Sequence, residues 1–363
     1  VMSRGVEVVE AMLDRNMPYK SGPAWLAENV LSDRHVLAVA GTHGKTTTAS
    51  MLAWILEDAG HAPGFLIGGI PANFGSSARF GESQYFVVEA DEYDTAFFDK
   101  RAKFVHYRPR TLVLNNLEYD HADIYKDLDA ILWQFHQLLR TVPGKGRIVV
   151  NGVDENLKVL LSQGCWTPTE TFSTGDDSDW MARFGDKVER HIGMRGPGGQ
   201  AAETRWRIGG TYNLENALAA VAAAASAGVS LEQAVDSMSR FDGVKRRMER
   251  TATVADIAIY DDFAHHPTAI AKSIRSMRKR YPGHRIVVAV EPRSNTMKLG
   301  VHNETLADAL QDADLVWMYR PDDMPDDFES HLQSLGKKLR LYDDYDRLVN
   351  DMSTRVLGGD QVI

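Results

Sequence analysis

The chain has 363 residues, enough for two or three domains with a sizeable core. With 44% hydrophobic and 25% charged residues it has the profile of a soluble globular protein, and no apolar run nears the ~20 residues of a membrane-spanning helix, so no membrane partner is expected. A net charge of −9 argues against nucleic-acid binding by bulk attraction, though a nucleotide can still sit in a locally basic pocket, and the single cysteine, Cys165, fits a reducing, cytoplasmic setting without disulfides.

In chain order, residues 1–33 read as the tail of an earlier domain. From "HVLAVA" at His35 the chain alternates apolar runs with helical patterns: "YFVVEA", "TLVLNN" and "RIVVNG", then later "IAIYDD", "RIVVAV" and "LVWMY". Short apolar runs without polar alternation suit parallel strands covered on both faces, so the fold class is α/β. The polar, glycine-rich stretch Gly175 to Thr204 reads as strands with an exposed loop. An alanine-rich helix follows "GTYN" and ends at Gly228. The basic segment "FDGVKRRMER" reads as a hinge into a second α/β unit. The expected division is 1–33, 34–242 and 243–363. The closing "GGDQVI" looks like a strand, so both ends look clipped.

The chemistry gathers where strands end. After "HVLAVA" come Gly41, Thr42, His43, Gly44, Lys45, Thr46 and Thr47, with a helix starting near Thr46. Backbone N–H groups at a helix N-terminus favour an anion, and Lys45 adds a point charge for outer phosphates. A hydroxyl directly after the lysine can ligate a phosphate-bound Mg²⁺. The usual phosphate loop has glycine six positions before its lysine; here that position is Val39. "YFVVEADEYD" ends with Glu89, Asp91, Glu92 and Asp94, and "TLVLNNLEYDHAD" with Asn115, Asn116, Glu118, Asp120, His121 and Asp123. In an open parallel sheet, ligands bind outside the carboxyl ends of the strands. Glu89 is the leading metal-ligand candidate, and His121 the next.

"GTHGKTTT", "EADEYD", "NNLEYDHAD", "GTYNLENALAA", "GVKRRMER" and "YDDFAHHPTAI", in this order, resemble the Mur ligases, the ATP-dependent amide-forming enzymes of peptidoglycan assembly. That family uses GTxGKT in place of the longer loop, which accounts for Val39. The resemblance implies a central parallel-sheet ATPase domain, a Rossmann-like C-terminal domain, and an N-terminal uridine-diphosphate-binding domain mostly absent here. It implies ATP and Mg²⁺ as cofactors. Lys45, Glu89, His121 and Arg247 would be catalytic, Thr46 and Glu89 would share the first Mg²⁺, and His121 would hold the second. Asn216 would contact adenine unless it is simply packed. Arg247 would reach the phosphates, with Arg246 as the alternative, and Asp262 would hold the ribose side. His265 and His266 either face substrate or cap a helix. Arg293 and Lys298 read as a basic loop suited to an anionic substrate. "NMPYKSGPAWL", "FVHYRPRTLVLNNLEYDHADI" and "VEPRSNTMKLG" point, within the family, to UDP-N-acetylmuramate and a murein tripeptide as substrates. The alternatives are L-alanine alone as the acceptor, or a catalytically silent nucleotide-binding regulator.

Overall fold

The computed structural model describes every residue except Val1, Asp176, Ser294, His302 and Asp323, and leaves out the side chain of Asn295. One residue each of the expected N-terminal tail, of Gly175–Thr204 and of the basic loop therefore lies outside the described residues. The strands before the hinge are β1 (His35–Ala40), β2 (Gly64–Leu66), β3 (Ala78–Arg79), β4 (Tyr85–Glu89), β5 (Asp94–Ala96), β6 (Asp99–Ala102), β7 (Thr111–Leu114), β8 (Arg147–Asn151), β9 (Thr169–Ser173), β10 (Trp180–Phe184), β11 (His191–Arg195) and β12 (Ala201–Arg205). Among the described residues, ten of these form one sheet in the order β12-β11-β10-β9-β8-β7-β1-β4-β2-β3, while β5 and β6 pair separately as a hairpin. Pairing is parallel from β10 through β2 and antiparallel at both edges.

Strand β1 shows why its run lacks polar alternation. Leu37 and Val39 join one core, with Val87, Val113 and the helices Lys45–Asp58 and Thr211–Ala224. Val36, Ala38 and Ala40 join a second core on the other face, with Phe86, Leu112 and the helix Leu128–Leu139. Successive side chains point to opposite faces, so a strand covered on both sides must be apolar at every position. In the helix Thr211–Ala224 the buried face is mostly alanine, which lets it pack closely on the phosphate-loop helix.

A second sheet follows the hinge: β13 (Glu249–Val254), β14 (Ile257–Asp261), β15 (Ile286–Val290), β16 (Leu315–Tyr319), β17 (Leu339–Tyr342) and β18 (Gln361–Val362). Its order is β13-β14-β18-β15-β16-β17, antiparallel only between β13 and β14. The closing "QVI" segment thus inserts between β14 and β15. The hinge itself is held to the first sheet's domain. Pro71 bridges Val244, Lys245 N donates to Ile70 O at 3.0 Å, and Ala72 N donates to Gly243 O at 2.9 Å. No helix among the described residues is long and apolar enough to cross a membrane.

Leu37→Ala empties a fully buried position beneath the loop helix. It is expected to lower stability by about 2–5 kcal/mol in fluorescence-monitored urea unfolding. A loss well below that range would mean the first core can collapse around the site.

Candidate active site

The loop between β1 and the helix Lys45–Asp58 needs both of its glycines. Gly44 caps the helix at φ 80°, and a Cβ there would lie 2.3 Å from Asn216 Oδ1. Gly41 has φ 141° and presses on the Asn116 backbone, where a Cβ would meet its carbonyl at 3.0 Å. Asn116 organises the loop in turn. Its carbonyl accepts from Thr42 N at 3.1 Å and its Oδ1 accepts from His43 N at 2.7 Å. The first-turn N–H groups of the helix have no intrahelical acceptor, which makes the loop an anion site.

Lys45 is only 9% exposed. Its Nζ donates to Glu92 Oε2 at 2.8 Å, Glu92 Oε1 at 3.1 Å and the Gly41 carbonyl at 2.7 Å. His121 Nε2 lies 2.9 Å from Glu92 Oε1. Burial works to lower the ammonium's pKa, but Glu92, Asp91 and Glu89 outweigh it and hold it above the ordinary value. Burial likewise works to raise the Glu92 carboxyl, and Lys45 with His121 overcomes that and holds it low. For His121 burial acts downward, and Glu92 and Asp120 prevail, leaving the imidazole raised.

Glu89 stands on the other side of the loop. Thr46 Oγ1 donates to its Oε1 at 2.8 Å and Gly68 N to its Oε2 at 2.6 Å. Arg247 Nη2 reaches the same Thr46 hydroxyl at 3.1 Å. Desolvation and the nearby Asp91 push the Glu89 carboxyl up despite those donors. Of the two hinge arginines, then, Arg247 faces the loop, while Arg246 pairs with Asp261 at 3.3 Å.

One cleft collects most of the expected residues. Thr42 to Thr47, Glu89 and His121 line it from the first sheet, and Arg247, Asp262 and His265 from the hinge and the second. Asn216 lines it too, but its amide oxygen accepts from Thr48 Oγ1 at 3.1 Å and Asn115 Nδ2 at 3.4 Å behind the loop. Asp262 Oδ2 accepts from Ser273 Oγ at 2.6 Å, and desolvation pushes its carboxyl up against Ser273 and Arg247. His266 caps the helix, its Nδ1 accepting from Thr268 N at 3.2 Å, and both histidines line the cleft, while His265 also lines a second, adjoining cavity. Arg293 lines that cavity and pairs with Glu291 at 2.6 Å. Lys298 ends the short helix Asn295–Lys298, half-buried and outside the lining of either cavity.

Sequence reasoning saw Glu92 only as one of four acids after β4. No spacing signal sets it apart, because its role depends on Lys45 and His121 arriving from neighbouring strands. The half-buried wall residue Tyr212, beside Asp262, was not anticipated either.

The chain matches the Mur ligase middle domain over residues 39–224 and the Mur ligase, glutamate ligase domain over residues 246–363. It is 49% identical over 324 residues to the UDP-N-acetylmuramate–L-alanyl-γ-D-glutamyl-meso-2,6-diaminoheptandioate ligase of Haemophilus influenzae, covering 89% of this chain and 71% of that protein. It is 46% identical over 365 residues to the Escherichia coli ligase of the same name, covering 100% of this chain and 79% of that one. The crystal structure of a murein peptide ligase from Psychrobacter arcticus 273-4 superposes with a TM-score of 0.74 at 41% identity, covering 99% of this chain and 80% of that one.

Gly44→Ala is expected to weaken ADP binding about tenfold in a calorimetric titration. A left-handed alanine alone costs about 1–2 kcal/mol, and the new Cβ also displaces Asn216. Unaltered affinity would show that the loop takes up another conformation when nucleotide binds.

Proposed function

Since the chain belongs to the Mur ligase family, we propose that it is an ATP-dependent ligase that joins L-alanyl-γ-D-glutamyl-meso-diaminopimelate to UDP-N-acetylmuramate through an amide bond. The observation that carries this reading is the 46% identity along the whole chain to a ligase named for those substrates. The site's geometry is consistent with it. A carboxylate is a poor electrophile, so its oxygen first attacks the γ-phosphorus of ATP, giving an acyl phosphate and ADP. The peptide amine then attacks the acyl carbon, and inorganic phosphate leaves with the C–O bond electrons. Positioning and charge stabilisation dominate such phosphoryl transfers.

Lys45 and Arg247 are the cations placed to meet the phosphates. Lys45 reaches them by exchanging the Glu92 carboxylate for a phosphate oxygen, so it never becomes a lone buried charge. Asp262 stands across the cleft at the ribose side. His265 lies between the two cavities, and the cavity that holds Arg293 is the acceptor side.

Thr46 and Glu89 fit Mg²⁺. They are hard oxygen donors, held together by the hydrogen bond from Thr46 Oγ1 to Glu89 Oε1. The cation would supply neutralisation of charge on the transferring phosphoryl group. His121 would serve a second cation, with Glu92 Oε1 as its companion donor at 2.9 Å.

The test offers the protein ATP, Mg²⁺ and UDP-N-acetylmuramate and compares phosphate release with the tripeptide and with L-alanine. Release that needs the tripeptide is expected, with Lys45→Ala at least ~100-fold slower in turnover. Release driven by L-alanine alone would replace this assignment. Glu89→Gln is expected to raise the Mg²⁺ concentration for half-maximal rate, since an anionic ligand is lost. An unchanged Mg²⁺ titration would remove Glu89 from the metal site.

A further inference from the structure

Two acids on the loop that leaves β7, Glu118 and Asp120, are not needed for phosphate chemistry, yet each reaches the second sheet's domain. The Glu118 backbone is clamped to the phosphate loop: its N–H donates to Thr42 Oγ1 at 2.8 Å, and the Thr42 hydroxyl donates to its carbonyl at 3.1 Å. Its carboxylate bridges the two domains, with Oε2 3.4 Å from His43 Nε2 of the phosphate loop. Oε2 accepts from Thr268 Oγ1 at 2.9 Å and lies 3.7 Å from His266 Nδ1. Thr268 is in the first turn of the 14-residue helix Pro267–Arg280, capped by His266. A carboxylate of one domain therefore sits at the positive end of a helix of the other, a favourable placement. Two residues on, Asp120 Oδ1 accepts from Thr296 Oγ1 at 3.0 Å, with both residues buried.

His43, Glu118 and His266 also bring ligand-type atoms within 4.8 Å of one another. The facing atoms are already engaged, however. Oε2 holds the Thr268 hydroxyl, and His266 Nδ1 holds the Thr268 N–H. The donor pattern is that of a latch, not of a metal cage.

We propose that Glu118 is a positioning residue whose contact with Thr268 latches the phosphate loop to the C-terminal domain, so that the acceptor cavity closes over a correctly seated nucleotide. This rests on the ligase reading for its kinetic consequence, but not for its structural one.

The test uses Thr268→Val, which keeps shape and loses the hydroxyl, Thr268→Ser, which restores it, and Glu118→Gln. With ADP present, small-angle scattering of Thr268→Val is expected to give a larger radius of gyration than the unaltered protein, and Thr268→Ser to match the unaltered protein. In ligation assays Thr268→Val should raise the KM for the peptide acceptor about tenfold, while the KM for ATP stays within about twofold, because a hydrogen bond to a charged group is lost away from the nucleotide. Thr268→Val and Glu118→Gln combined should cost no more than either alone. Scattering and acceptor KM both unchanged in Thr268→Val would overturn the latch, as would fully additive losses in the double variant. If the unaltered protein ligates nothing, the scattering comparison still decides the latch.

Discussion

A buried lysine stays charged most readily with an anion beside it, and the cleft is built around that constraint at Lys45. The residue opens a helix, where the dipole disfavours a cation, so its need for a counter-charge is doubled. Glu92 meets it while also holding His121. The three residues follow β1, β4 and β7, which are neighbours in the sheet in the order β7-β1-β4. Val39 pairs with Glu89 and Ala40 with Leu114, so the strand register sets where each polar tip emerges. A one-residue slip would turn each strand's side chains to the opposite core and break the triad, and the two cores therefore protect the chemistry as well as the fold.

What the sequence disclosed follows the same logic. Strands such as β1, β4 and β7 are apolar at nearly every position because both faces are covered, and that pattern needs no tertiary information to see. The phosphate loop is legible because glycines at Gly41 and Gly44 answer a backbone requirement. The hairpin of β5 and β6 was not legible: "DTAFFDKRA" has no strand periodicity, and its pairing depends on a register shift between Asp94 and Ala96. Choices between neighbours were equally hidden. Arg247 faces Thr46, while Arg246, at a left-handed φ of 59°, turns to Asp261. His265 and His266 both line the cleft, but His266 caps a helix while His265 also lines the adjoining cavity. Lys298, grouped with Arg293 by charge, instead helps Arg293 and Tyr345 hold the Glu291 carboxyl low against the effect of burial. Sequence shows which chemistry a segment carries, whereas backbone dihedrals decide which of two adjacent side chains delivers it.

The position of the cleft between two sheets also has a chemical reason. The carboxyl ends of β1, β4 and β7 face the end of β14, which delivers Asp262. An acyl phosphate is open to loss by hydrolysis as well as to an amine, so a cleft closed from both sides would keep solvent from it. Assembly from two bodies would let a nucleotide enter an open cleft and react in a closed one.

The charge inventory of that cleft carries the argument one step further. Glu89, Asp91, Glu215 and Asp262 line it as carboxylates, with Glu92 behind Lys45, against Lys45, Arg247 and Lys272. Desolvation pushes Glu89 and Asp262 upward, the sign that their charged forms are short of positive partners. A triphosphate adds several more negative charges to this excess. The cleft's own cations offset only part of that charge. A cation carried in with the nucleotide would relieve that excess, and the hydrogen-bonded oxygens of Thr46 and Glu89 would offer it hard ligands.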